Sequence, residues 1–223
     1  MKKTILIIIG VLLIVAGGWY AVSSNTPSGE DTANAEDTVA IVNEEKILRT
    51  DFEEFKSQAL ELQGIDTASL DETTLAQLDT QIVNDLISQA LLEQAVSASE
   101  ISASQEDIDQ QAAAIVAQFG GQESFQQALA AEGLSEETFR TQIGANLATQ
   151  TYLEQKLSLS AVTASDEEIE TAYAQAAAQN ENIPALEEVQ VQVEQSIIQQ
   201  KQQVLVSDFV EQLRSEANIE IFL

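Results

Sequence analysis

Apolar positions between Gln105 and Leu157 recur at helical spacing and divide into three sets. Ile108, Ala112, Ile115, Val116 and Phe119 fall on one face of a first helix that Ser104 can cap. Gly120-Gly121 stops it, and a short second helix places Phe125 and Leu129 inward before Gly133 ends that one. Ser135 opens a third, with Glu136 and Glu137 in the first turn, where the helix dipole favours negative charge, and Phe139, Ile143, Leu147, Leu153 and Leu157 along its apolar face. Helices this short must bury their faces against the remaining chain.

The same reading extends in both directions. Val39–Val42 and Lys46–Arg49 form two strands around an Asn43-Glu44-Glu45 turn, predicting a hairpin. Thr50 then starts a helix over 51–62, with Glu53 at capping-box spacing, Phe52 and Phe55 inward and Gly64 at its end. A long helix over 72–97 carries Leu75, Leu78, Ile82, Val83, Leu86, Ile87, Ala90, Leu91 and Ala95, a stripe too wide for one partner helix. This places it centrally in the core, the alternative being a peptide groove. Beyond Leu157, Ser165 and Glu168 repeat the capping-box spacing and begin a helix with Ile169, Ala172, Tyr173 and Ala176. Pro184 suits the first turn of a last helix over 185–217, whose apolar stripe drifts from Val189, Val193 and Ile197 to Ile198, Leu205, Phe209 and Leu213. Ile219-Glu220-Ile221 alternates like a strand, and pairing it with Val39–Val42 joins the two ends.

Two segments precede this body. Lys2-Lys3 and the uncharged run from Thr4 to Val22 match a single membrane span, N-terminus inside, with Trp19-Tyr20 at the outer interface. A cleaved signal peptide, cut after a small residue near Ala21-Val22-Ser23, is the other reading; both export the body, to the outer face of the cell membrane or into the medium. Residues 23–37 are polar, contain Pro27 and lack apolar periodicity, as a tether does. The expected organisation is a leader at 1–22, a linker at 23–37 and a mostly α-helical body at 38–223 with a small hairpin closed by a C-terminal strand.

Charge and composition narrow the functions. The chain of 223 residues has a net charge of -28, and the part after Lys2 and Lys3 carries two more negative units. Nucleic acid is excluded as a partner by repulsion from the phosphate backbone. Such a surface resists self-association, and it suits either a salty habitat or an acidic exported protein; no pattern sets the oligomeric state. With neither cysteine nor histidine in the chain, disulfides, thiol catalysis, the usual general base and the commonest zinc ligand are all missing. No Gly-rich phosphate loop, calcium loop, Gly-x-Ser-x-Gly elbow or Ser-x-x-Lys occurs, so neither cofactor nor metal is expected.

The run Phe119-Gly120-Gly121-Gln122-Glu123-Ser124-Phe125, then Leu129, then Gly133 to Arg140, resembles the N-terminal chaperone domain of the SurA, PpiD and PrsA family of extracytoplasmic folding factors. The resemblance runs from about Val39 to the C-terminus. Family members have a similar hairpin before the first helix, with Gly where this chain has Glu44. The resemblance implies an ATP-independent holdase for unfolded or newly exported polypeptides. Such proteins often carry a histidine-using parvulin prolyl-isomerase domain before the last helix; here only Ala174–Ile183 lies there, too short for a folded domain, so the isomerase module is expected to be absent. Prolyl isomerisation and a membrane scaffold for one fixed partner are the rival functions. For client binding the candidates are Phe119, Phe125, Leu134, Phe139 and Tyr152, each also a candidate for plain core.

Overall fold

The computed structural model describes residues 37–64, 70–179 and 183–223. The leader, and all of the linker except Asp37, lie outside these residues. Among the described residues no helix is long and apolar enough to cross a membrane.

Strands β1 (Thr38–Val42) and β2 (Glu45–Leu48) lead into helices α1 (Arg49–Gln63), α2 (Glu72–Ala98), α3 (Gln105–Gln118), α4 (Gln122–Ala131), α5 (Glu136–Leu157), α6 (Asp166–Gln179) and α7 (Leu186–Glu216), and β3 (Ile219–Ile221) follows. The mostly α fold with a small sheet is the one the pattern predicts. It divides into two compact units, one ending at Thr151 and regaining Leu213–Leu223, the other Tyr152–Gln212.

In the first unit, β1 is the middle strand of an antiparallel sheet of order β2-β1-β3, with Ala40 opposite Ile221 and Val42 opposite Ile219. The ends of the body are therefore paired. Asn43 and Glu44 both have positive φ, 50° and 74°, as a tight hairpin turn with the twist of its strands requires. Glu44 holds the left-handed position without being glycine, which costs about 1 kcal/mol. Asn43 secures the turn: its N–H donates to Asn218 O at 2.9 Å and its Oδ1 accepts from Asn218 N at 2.9 Å. Its Nδ2 donates to Gln94 Oε1 at 2.9 Å, and Gln94 Nε2 in turn donates to Val42 O at 3.1 Å and Glu45 Oε2 at 2.6 Å. One glutamine on α2 thus ties the hairpin to the long helix.

Beneath the sheet, Val39, Ala40, Val42 and Ile47 meet Phe52 of α1 and Ile82, Val83, Ile87, Ala90 and Leu91 of α2, and Leu213, Ala217 and Ile219 cover the cluster. The stripe on α2 is core, as its width implies, though Leu75 and Leu78 toward its start are only half-buried. Burial also pushes the carboxyls of Glu93 and Asp85 up; at Glu93 the nearby Glu45 adds to the effect, against a lowering hydrogen bond from Gln89.

Two boundaries differ from expectation. Thr50 does not cap α1: β2 runs straight into the helix, Leu48 occupies the capping position, and Thr50 Oγ1 donates to Asp51 instead. Pro184 lies ahead of α7 rather than in its first turn, where its carbonyl accepts the Tyr173 hydroxyl at 2.9 Å. The Ser165 box does form, with Ser165 N donating to Glu168 Oε2 at 2.8 Å and Glu168 N to Ser165 Oγ at 3.3 Å. In this second unit Lys201 Nζ also binds Glu168 and donates to Thr163 O at 2.9 Å, and Gln202 Nε2 donates to Leu159 O at 2.8 Å. The Lys201 hydrogen bond, with that of the Ser165 N–H, holds the Glu168 carboxyl down at about 2.

Candidate functional site

Helices α3, α4 and α5 enclose a second cluster in the first unit. Each start or stop is local. Ser104 Oγ accepts from Asp107 N at 3.1 Å and Ser135 Oγ from Thr138 N at 3.0 Å, capping α3 and α5. Between α3 and α4 the chain reverses at Gly120 and Gly121, whose φ of 83° and 121° few other residues tolerate. Gly144 of α5 faces Ile108 of α3, where an added Cβ would stand 3.1 Å from Ile108 Cδ1; the missing side chain lets the two helices close.

The cluster is aromatic at its centre. Phe125 meets Phe119 edge-on at a centroid distance of 5.8 Å and Phe139 at 4.9 Å. Phe125 and Phe139 are only 1% and 4% exposed, with Ala112, Ile115, Leu129 and Ile143 beside them, while Phe119 and Leu134 are half-buried against the edge. Four of the five sequence candidates thus converge on one place, two as core and two at its margin. Tyr152 belongs to the other unit, half-buried and 6.0 Å from the Phe209 ring.

Above this core lies an open cleft of about 320 Å³. Ala112, Ala113, Val116 and Ala117 of α3 form one wall, with Phe125 and Phe139 behind and Asp109, Gln122, Glu136 and Arg140 around the mouth. The space exists because α3 presents alanines where larger side chains would fill it. A chain of polar contacts spans the mouth: Gln105 Nε2 donates to Asp109 at 3.1 Å, Arg140 pairs with Asp109 and lies 3.8 Å from Glu136, and Gln122 Nε2 donates to Glu136 at 3.0 Å. All three helices are bridged this way. Sequence reasoning assigned Glu136 only a dipole role and did not single out Asp109, Ala113, Ala117 or Gln122; the available signal was Arg140, the one base in an acidic stretch.

A wall of methyl groups over aromatic rings, ringed by exposed charges, can receive an apolar side chain from a partner. Among the described residues no group of acidic, His or Cys side chains is arranged to hold a metal ion.

A mostly helical body whose small sheet joins its two ends defines the class of fold, and the comparisons with known proteins supply the family. The description "SurA-like N-terminal domain" matches residues 1–153, and the chain belongs to that family. A solved structure from a study of PEB4 and Cj1289, described as two structurally related SurA-like chaperones in the human pathogen Campylobacter jejuni, has the same fold, with a TM-score of 0.56. It is 16% identical, and the match covers 83% of this chain and 98% of that one. No curated protein matches the chain.

Proposed function

We propose that the protein is an ATP-independent holdase that shields apolar segments of newly exported polypeptides, held at the outer face of the membrane through residues 4–22. The observation that carries this reading is the cleft between α3, α4 and α5, which lies within the part of the chain matched to the family. Its apolar wall offers burial to an exposed side chain, and its size limits the affinity to about micromolar, or ~8 kcal/mol, weak enough for release without nucleotide. The acidic exterior keeps the loaded protein soluble. Only residues 180–185 join α6 to α7, which leaves no inserted isomerase module at that junction and supports a binding role over a catalytic one.

The test is aggregation of several unrelated unfolded exported proteins with the full chain at near-stoichiometric ratios and no nucleotide. A delay is expected, and Ala117→Phe, which fills the cleft from an exposed position, should remove most of it while leaving thermal stability near that of the parent. No delay for any client would put the fixed-partner scaffold ahead. In the same preparation, cis–trans exchange of a proline peptide should keep its spontaneous time constant of tens to hundreds of seconds.

A further inference from the structure

The mouth of the cleft carries a charge pattern that its apolar wall does not explain. Asp109 and Glu136 are 53% and 44% exposed, and the single cation between them, Arg140, is shared by both. One positive charge serves two negative ones, so the rim stays net negative. The surrounding stretch from Ser104 to Ile143 strengthens this: Glu106, Asp107, Glu123, Glu132 and Glu137 add five acids and no base. At 320 Å³ the cleft is at the lower end of the range for small-molecule sites, room for one or two side chains. Its walls are hydrocarbon and its mouth is anionic, so the complementary occupant is amphipathic in a defined order.

We propose that the cleft selects extended polypeptide segments in which an apolar side chain is flanked by lysine or arginine, the apolar group entering between α3 and Phe125 while the cation meets Asp109 or Glu136 at the rim. The inference rests on the holdase reading and adds the class of client. Segments flanked by Asp or Glu meet the same rim with the wrong sign and are rejected, a selection made by repulsion as much as by attraction. Arg140 moderates it: its guanidinium occupies the two carboxylates in the empty cleft, and an incoming cation must share or displace it.

The experiment uses the full chain and two fluorescent peptides, identical in a central Leu-Val-Leu and flanked on both sides by Lys in one and by Glu in the other. At low salt the Lys-flanked peptide is expected to bind about tenfold more tightly, the sum of a few exposed charge pairs, with the gap closing as salt screens them. The double variant Asp109→Asn/Glu136→Gln should bring the two peptides to within about twofold. The control Glu187→Gln/Glu188→Gln, which removes the same charge from exposed positions on α7, should keep the gap. Arg140→Gln should widen it by freeing both rim carboxylates, an opposite change that loss of folding would not produce. Equal binding of the two peptides, or a control that closes the gap as fully as the rim variant, overturns the proposal even where the protein still delays aggregation. If neither peptide binds, this inference falls, and the holdase reading falls with it only when aggregation is also unaffected.

Discussion

The two cores of the first unit are built from opposite kinds of contact. The sheet core joins Val39 to Ile219 and takes side chains from both ends of the body, whereas the three-helix cluster is complete within Ile108–Leu147. The first closes loops of more than a hundred residues before its strands meet; the second closes only short ones. Their surfaces differ in the same sense. Val39, Ala40 and Val42 of β1 are wholly buried, with strands on both sides, while the helical cluster leaves a cleft open over its aromatic centre. A region stabilised by its own neighbours does not draw on the contacts that hold the distant ends together.

The largest effects that test this contrast come from truncating the central rings. Phe52→Ala and Phe125→Ala remove side chains 2% and 1% exposed, and each should cost about 3–5 kcal/mol in denaturant unfolding. The contrast predicts different patterns of hydrogen exchange. Phe52→Ala should deprotect β1, α1 and α2, and Phe125→Ala should deprotect α3, α4 and α5. Identical patterns would mean that the two clusters open as one unit.

Removing Asn218–Leu223 should act next. It deletes the β1–β3 ladder, the Asn43 N–H to Asn218 O bond and the Phe222 N–H to Val39 O bond, each 2.9 Å. Loss of about four such bonds implies roughly 2–4 kcal/mol, taken from the sheet core alone. Exchange at the Asn43 amide should accelerate while the α3 amides keep their protection. An unchanged Asn43 amide would show that β3 adds nothing to the turn.

The smallest effect is on pH. Burial raises the Glu93 and Asp85 carboxyls, so the folded state holds protons that the unfolded state has released. That stability is fully present below the ordinary carboxylate pKa and is lost as pH rises through the folded value. Glu168 acts oppositely, its contribution fading only as pH falls from 4.5 toward about 2. Lowering pH from 7 to 5 should therefore raise the urea midpoint modestly, and Glu93→Gln should flatten the response. A response that survives in Glu93→Gln with Asp85→Asn would place its origin elsewhere.

How much of this was legible in the chain follows the same division. Boundaries of the helical cluster could be read because their causes are one to three residues away, as with Ser104 on Asp107 N and Ser135 on Thr138 N. Pairing of the ends was also readable, from the alternation Ile219-Glu220-Ile221. Thr50 misled because a capping box presumes a loop before the helix, and here a strand enters directly. Gln94 went unnoticed: its partners Asn43 and Glu45 lie about fifty positions away, and nothing in helical periodicity marks a glutamine that serves another element. Phe119, Phe125, Leu134 and Phe139 meet in one cluster and Tyr152 does not; their burial depends on how three helices tilt, and so does the cleft lined by Ala113 and Ala117.

The pairing of β1 with β3 also sets an order of events as the chain is made. Asn43 is bonded to a residue 175 positions later, an interval that takes roughly 10–35 s at ordinary rates of synthesis. Through that time the first strand lacks its last neighbour, while everything needed for the α3–α5 cluster has long emerged. The residues that line the cleft are therefore all present before those of β3, and Asn218 to Ile221 are the clasp that joins the two ends of the body.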